Sequence, residues 1–247
     1  MLRTWSLTHD ASIHEQGTVS EPDVTAVGLD TGGARHWIRS IEAAAIAGVA
    51  FAVLSLVGVG LLTEFTELVG TDADSVEWLQ DRSNRAGQVT ALYLIAISSI
   101  AFIWFVAVIR RRIGDQEDRF FGTVFLGSGI AFVSLWLAAG AAITAPAFAL
   151  TYFENATVDR ASVSYAAGLG SAYLWVVLPR IAAVFTIATA TLIRHTEALP
   201  KWLAVVSYVI GISMLVIPVF ARPIGFVFPI WVLVVSLTIL IVRRTQR

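Results

Sequence analysis

The chain has 247 residues, of which 57% are hydrophobic and 14% charged, with a mean hydropathy of +0.76 and a formal net charge of −1. Soluble domains carry roughly a quarter charged residues, so the composition excludes an ordinary soluble fold, and the lack of a large basic patch excludes nucleic acid as a partner. The absence of cysteine excludes disulfides, thiol catalysis, iron–sulfur clusters and cysteine-ligated zinc.

In chain order, residues 1–34 come first. They are polar and mixed in charge (SLTHDASIHEQGTVSEPDVT) and lack the short apolar stretch of a secretory signal peptide. They read as a disordered cytoplasmic tail, with a regulatory or docking segment as the alternative. Residues 35–247 read as one membrane domain, because apolar runs of about 17 to 25 residues are long enough to cross hydrocarbon as helices. The six runs fall at about 41–62, 89–109, 120–145, 165–193, 203–220 and 226–242. The expected fold is therefore an all-α polytopic membrane protein with six transmembrane helices.

The segment between the first two runs is acidic, with Glu64, Glu67, Asp72, Asp74, Glu77 and Asp81. Asp74 followed by Glu77 has capping-box spacing, so the second helix is expected to start near Ser75, with Asp81 and Arg85 as an i,i+4 pair. Small residues recur at packing intervals: Ala44 and Gly48, Gly168 and Ala172, and AAGAA at 138–142. Basic residues are distributed unevenly. Eleven lie on one side (Arg35, Arg39, Arg110, Arg111, Arg112, Arg119, Arg194, Lys201, Arg243, Arg244 and Arg247) and four on the other (Arg82, Arg85, Arg160 and Arg222). The positive-inside rule then places both termini in the cytoplasm and the protein in the cytoplasmic membrane as a multi-pass protein.

Catalytic constellations fail on position. The four histidines, His9, His14, His36 and His195, all fall outside the spans or at their ends, so a membrane haem has no ligands. The single lysine, Lys201, lies in a turn, which excludes a retinal Schiff base. No span holds an aspartate or an HExxH helix, and Ser128 has no membrane histidine to activate it. No catalytic, cofactor-binding or metal-binding residues are assigned, no cofactor is expected, and the chain does not read as an enzyme.

Two charges remain at membrane depth. Glu42 sits at the cytoplasmic edge of the first span and reads as interfacial. Arg180 lies 13 residues before Ile193, about 20 Å into a hydrocarbon core about 30 Å thick. A central arginine costs about 2.5 to 3.5 kcal/mol on insertion scales, so it requires compensation. Pro179 precedes it and releases the carbonyl of residue 175, which a guanidinium can engage. The other candidate partners are Glu64, Glu67 and Glu154, reached directly or through water from the acidic side. Both a structural role in helix packing and an anion-binding or gating role fit these residues.

The segments FIWFVAVIRRRIG, FFGTVFLGSGIAF and ALPKWLAVVSYVIG resemble those of a set of bacterial, chiefly actinobacterial, six-helix membrane proteins, over roughly residues 80–242. The resemblance implies fold and topology and carries no catalytic residues. Sixteen arginines against one lysine fit a GC-rich bacterial source. Two functions are consistent with these features: a small transporter or permease component, or a non-catalytic membrane scaffold or accessory subunit. The expected partners are the lipid bilayer and a membrane-protein partner or a second copy. A hydrated polar cavity around Arg180 would favour transport, and a dry packed core would favour the scaffold.

Overall fold

The computed structural model describes residues 31–70, 74–113, 119–196, 200–216 and 224–244. These residues are almost entirely helical, and no strand occurs among them. The helices are α1 (Thr31–Val69), α2 (Ser75–Gln80), α3 (Arg82–Ile113), α4 (Arg119–Tyr152), α5 (Arg160–Ser171), α6 (Leu178–Thr196), α7 (Lys201–Val216) and α8 (Ile224–Arg244). A π-helical segment, Ala172–Val177, joins α5 to α6 without a break, so the two form one rod. Four stretches are long and apolar enough to cross a membrane: Ala45–Val69, Arg82–Arg110, Phe120–Tyr152 and Arg160–His195. The apolar parts of α7 and α8, Lys201–Val216 and Gly225–Ile241, are shorter.

The expected apolar runs fall on these helices, except that residues 217–220 of the fifth run lie outside the described residues, and α1, α3 and α4 overrun theirs. Of the expected tail, residues 1–30 lie outside the described residues, while helix α1 already includes residues 31–34. The second helix does begin at Ser75, with the Asp74 carboxylate accepting from the Val76 and Glu77 amides at 2.9 and 3.2 Å. It then breaks at Asp81, whose backbone is extended, and restarts as α3. Asp81 caps α3 by accepting from the Ser83 amide and hydroxyl, its carbonyl accepts from the Arg85 amide, and the Arg85 charge acts on its carboxylate, as the i,i+4 spacing expects. The Arg85 guanidinium also donates to the carbonyls of Leu79 and Gln80 at 2.8 and 2.9 Å.

The rods run antiparallel, with a basic end near Arg110, Arg194 and Lys201 and an acidic end near Glu64, Glu77, Asp81, Glu154 and Asp159. Helix α1 packs on α3, α3 on α4, and α4 on the α5–α6 rod. Helix α8 packs on α1, and α7 packs mainly on α6. Close approach depends on small residues. A Cβ on Gly48 would collide with Ser236 and Phe105, and one on Gly211 would come within 2.7 Å of the Ile187 side chain. Gly170, two residues from the expected Gly168, is the glycine that packs: a Cβ there would meet the Ala139 carbonyl at 2.9 Å, whereas Gly168 and Ala172 are exposed. In the AAGAA stretch, Gly140 lies against Ile95.

Candidate functional site around Arg180

The centre of the bundle is filled with aromatic rings. Phe228 of α8 lies 4.6 Å from Phe132, 5.7 Å from Phe102, 5.9 Å from Phe185 and 6.0 Å from Phe51, so five helices meet through one cluster. Phe51, Phe102 and Phe185 are fully buried. Edge-on and tilted contacts of this kind suit the ring quadrupole. Buried hydroxyls within the rods are mostly returned to the carbonyl four residues earlier, as at Thr144, Thr186 and Thr189. Two indoles cross-link helices by donating to serine: Trp136 to Ser98 at 3.1 Å and Trp231 to Ser207 at 2.9 Å. Gln88 donates from α3 to the Leu61 carbonyl of α1 at 3.0 Å. Ser55 Oγ, Gln88 Oε1 and Ser236 Oγ are buried side-chain atoms without a hydrogen-bond partner.

Arg180 is half-buried beside the π segment. A π turn bonds i to i−5, and the Leu178 amide accordingly donates to the Tyr173 carbonyl. Pro179 has no amide proton, so the Trp175 carbonyl loses its ordinary partner. The Arg180 guanidinium takes its place, with Nη1 donating to the Trp175 carbonyl at 3.3 Å and to that of Val176 at 2.9 Å. These bonds draw the charge back toward the acidic end, to the turn of Trp175 and Val176. Pro229 repeats the device in α8, where it lies inside the helix and releases the carbonyl of Gly225. Gly225 is the residue whose missing side chain lets α8 seat on the Trp175 ring. The two prolines also line a shared cavity of about 20 Å³ with Phe132, Trp136, Leu174, Leu178, Ala182, Met214, Gly225 and Phe228. The lining side chains are apolar except for the Trp136 indole N–H, which is already bonded to Ser98.

Glu64 and Glu67 are on the exposed face of α1, and Glu154 is exposed just after α4. Glu42 falls on α1, outside the residues whose side chains are described. The proline-released carbonyl of Trp175, named from the sequence, is a partner of Arg180. The π segment and Gly225 were not singled out from the sequence. Among the described residues no group of three or more histidine, aspartate or glutamate side chains could hold a metal ion.

The fold and site together define a class: a helical bundle with four helices long and apolar enough to cross a membrane and a buried aromatic cluster shared by five of its helices. Searches of protein-family models, curated proteins and solved structures found no match to this chain.

Proposed function

We propose that the chain is a six-span protein of a bacterial cytoplasmic membrane, with its basic end and both termini in the cytoplasm, and that it serves as a non-catalytic scaffold or accessory subunit. The observation that carries the reading is the interior: five helices converge on interlocked rings, and the cavity beside Pro179 holds about 20 Å³, close to the space of one water. A transport path needs polar groups and room along the bundle axis, whereas a rigid packed core suits a protein that works by presenting its outer faces to lipid, a membrane partner or a second copy. The competing reading, a small transporter or permease component, draws support from one feature, the broken helix at the π segment and Pro179 with a charge beside it.

Cysteine accessibility separates the two readings, since the chain has no cysteine of its own. Ala139→Cys and Ala182→Cys, both buried, should resist a small water-soluble thiol reagent in proteoliposomes. Rapid labelling at both would overturn the scaffold reading in favour of transport.

A further inference from the structure

The surface changes character at one level of the bundle. The exposed large aliphatic residues nearest the acidic end are Val57 on α1, Ile97 on α3, Leu137 on α4, Val176 in the π segment, Val216 on α7 and Ile230 on α8. Leu169 on α5 is the exception. Val57, Ile97 and Leu137 are level with one another, because Gly58 and Gly140 both lie against Ile95 and the Trp136 indole donates to Ser98, and the π segment joins that level where Leu174 and Trp136 line one cavity. The start of α8 reaches the same level, where Gly225 sits on Trp175. From there to the basic end, α8 and α6 extend about 27 to 30 Å at 1.5 Å per residue, close to the thickness of a bilayer's hydrocarbon. The described residues of α7 and α8 do not extend further toward the acidic end, and the outward positions there turn small or polar: Ala86, Thr90, Ala141, Ala145, Ser164 and Gly168. The exposed aromatics Tyr93, Phe148, Tyr152, Phe153 and Tyr165 also belong to this part. Helices α1, α3, α4 and α5 continue here for about 20 Å, closed over by α2.

We propose that the hydrocarbon band covers only the tier between the basic end and the start of α8. The acidic-end tier then stands beyond it as a four-helix head, and Arg180 meets lipid phosphates at the boundary. This rests on the membrane reading above and fixes where the membrane lies. The described part of α7, 16 residues and about 24 Å, comes near a hydrocarbon thickness of about 30 Å, whereas α4, at 34 residues and about 51 Å, overruns it. The charge agrees with this boundary. Arg180 originates below it, yet the bonds of its guanidinium to the carbonyls of Trp175 and Val176 place it at the level of Gly225. A cation at the rim of a hydrocarbon band faces the phosphodiester layer of that leaflet, and the arginine fork matches phosphate geometry.

Single cysteines in full-length protein in proteoliposomes test the boundary. Ala145→Cys and Gly168→Cys should react with a membrane-impermeant maleimide at least an order of magnitude faster than Ile100→Cys and Val209→Cys. Equal protection of all four would overturn the proposal and move the boundary up to the aromatic residues. Release of the protein from vesicles by alkaline carbonate would instead sink the membrane reading itself. For the phosphate contact, native mass spectrometry from mixed phosphatidylglycerol and phosphatidylcholine nanodiscs should show retained phosphatidylglycerol in the wild type, its loss in Arg180→Ala and its recovery in Arg180→Lys. Unchanged retention in Arg180→Ala would overturn the assignment of Arg180 to the boundary.

Discussion

Gly168 and Gly170 stand two residues apart on α5 in opposite surroundings. A Cβ on Gly170 would meet the Ala139 carbonyl at 2.9 Å and the Ile143 amide nitrogen at 3.0 Å, and backbone atoms cannot swing aside as a side-chain tip can. A Cβ on Gly168 would meet nothing within 4 Å. Gly170→Ala should therefore lose about 1 to 3 kcal/mol through overpacking. Gly168→Ala should be neutral or gain up to about 1 kcal/mol from helix propensity. Reversible denaturant unfolding in mixed micelles would read both, and equal effects would show that α5 does not seat on α4 as described. Arg180 donates to the carbonyls of Trp175 and Val176, so the loss of those two bonds in Arg180→Leu should by itself cost about 1 to 2 kcal/mol in the same assay, the scale of a released carbonyl. A loss of about 3 to 5 kcal/mol would mark a broken buried ion pair instead.

The short connections at the acidic end are fixed by aspartate caps. Asp159 opens α5 with a reciprocal box: its carboxylate accepts from the Ser162 amide at 2.8 Å, and the Ser162 hydroxyl bonds the Asp159 backbone. The Ser162 hydroxyl and amide hold the Asp159 carboxyl below its usual range, and the Ser83 hydroxyl and amide do the same for Asp81. A depressed carboxyl favours the folded state at pH values above the ordinary aspartate value of about 4, and that contribution fades as pH falls through the lowered native value. Hydrogen exchange in the first turns of α3 and α5 should accordingly quicken on acidification below about pH 4, and in Asp159→Ala the first turn of α5 should exchange fast at neutral pH as well. An unchanged protection pattern in Asp159→Ala would remove the cap from the account. The Asp74 cap was legible in the sequence because a side-chain oxygen followed by free amides is a local event. The cap at Asp81 was not, because which of two adjacent turns breaks depends on how Leu79 and Phe65 bury beneath α2. Nor was the π segment legible, since it forms where α8 presses Gly225 onto Trp175, a contact between residues far apart in the chain.

At the scale of the molecule, the sequence made the number and order of the apolar rods legible, because a helix in hydrocarbon must satisfy its own backbone and so needs a long apolar run. It hid where the rods end. Alanine and glycine read as apolar whether they face lipid, water or another helix, so α4 ran past its expected end at residue 145 to Tyr152 with no change in tone. The aromatic centre was equally invisible, since Phe51, Phe102, Phe132, Phe185 and Phe228 sit on five separate helices. Because all five helices share that cluster, the bundle should unfold as one unit, and Phe102→Ala should lower its stability by about 3 to 5 kcal/mol in a single transition. Separate melting of the α7–α8 hairpin would contradict this. Sidedness is checked in intact cells: Glu77→Cys should react with an impermeant maleimide, and Lys201→Cys only after permeabilisation. The reverse order would invert the proposed topology.

The π segment also bears on how the gene can change. A turn bonded i to i−5 holds an extra residue of slack, so losing one residue from Ala172–Val177 can be taken up by tightening to ordinary α turns while the rods on either side keep their length. The same loss within α4 or α6 would rotate everything beyond it by about 100° and turn packed faces outward. Single-residue deletions along the rod from Arg160 to Thr196 should therefore be survivable in one six-residue window and ruinous on both flanks, which makes this short stretch the place where the chain's length is negotiable.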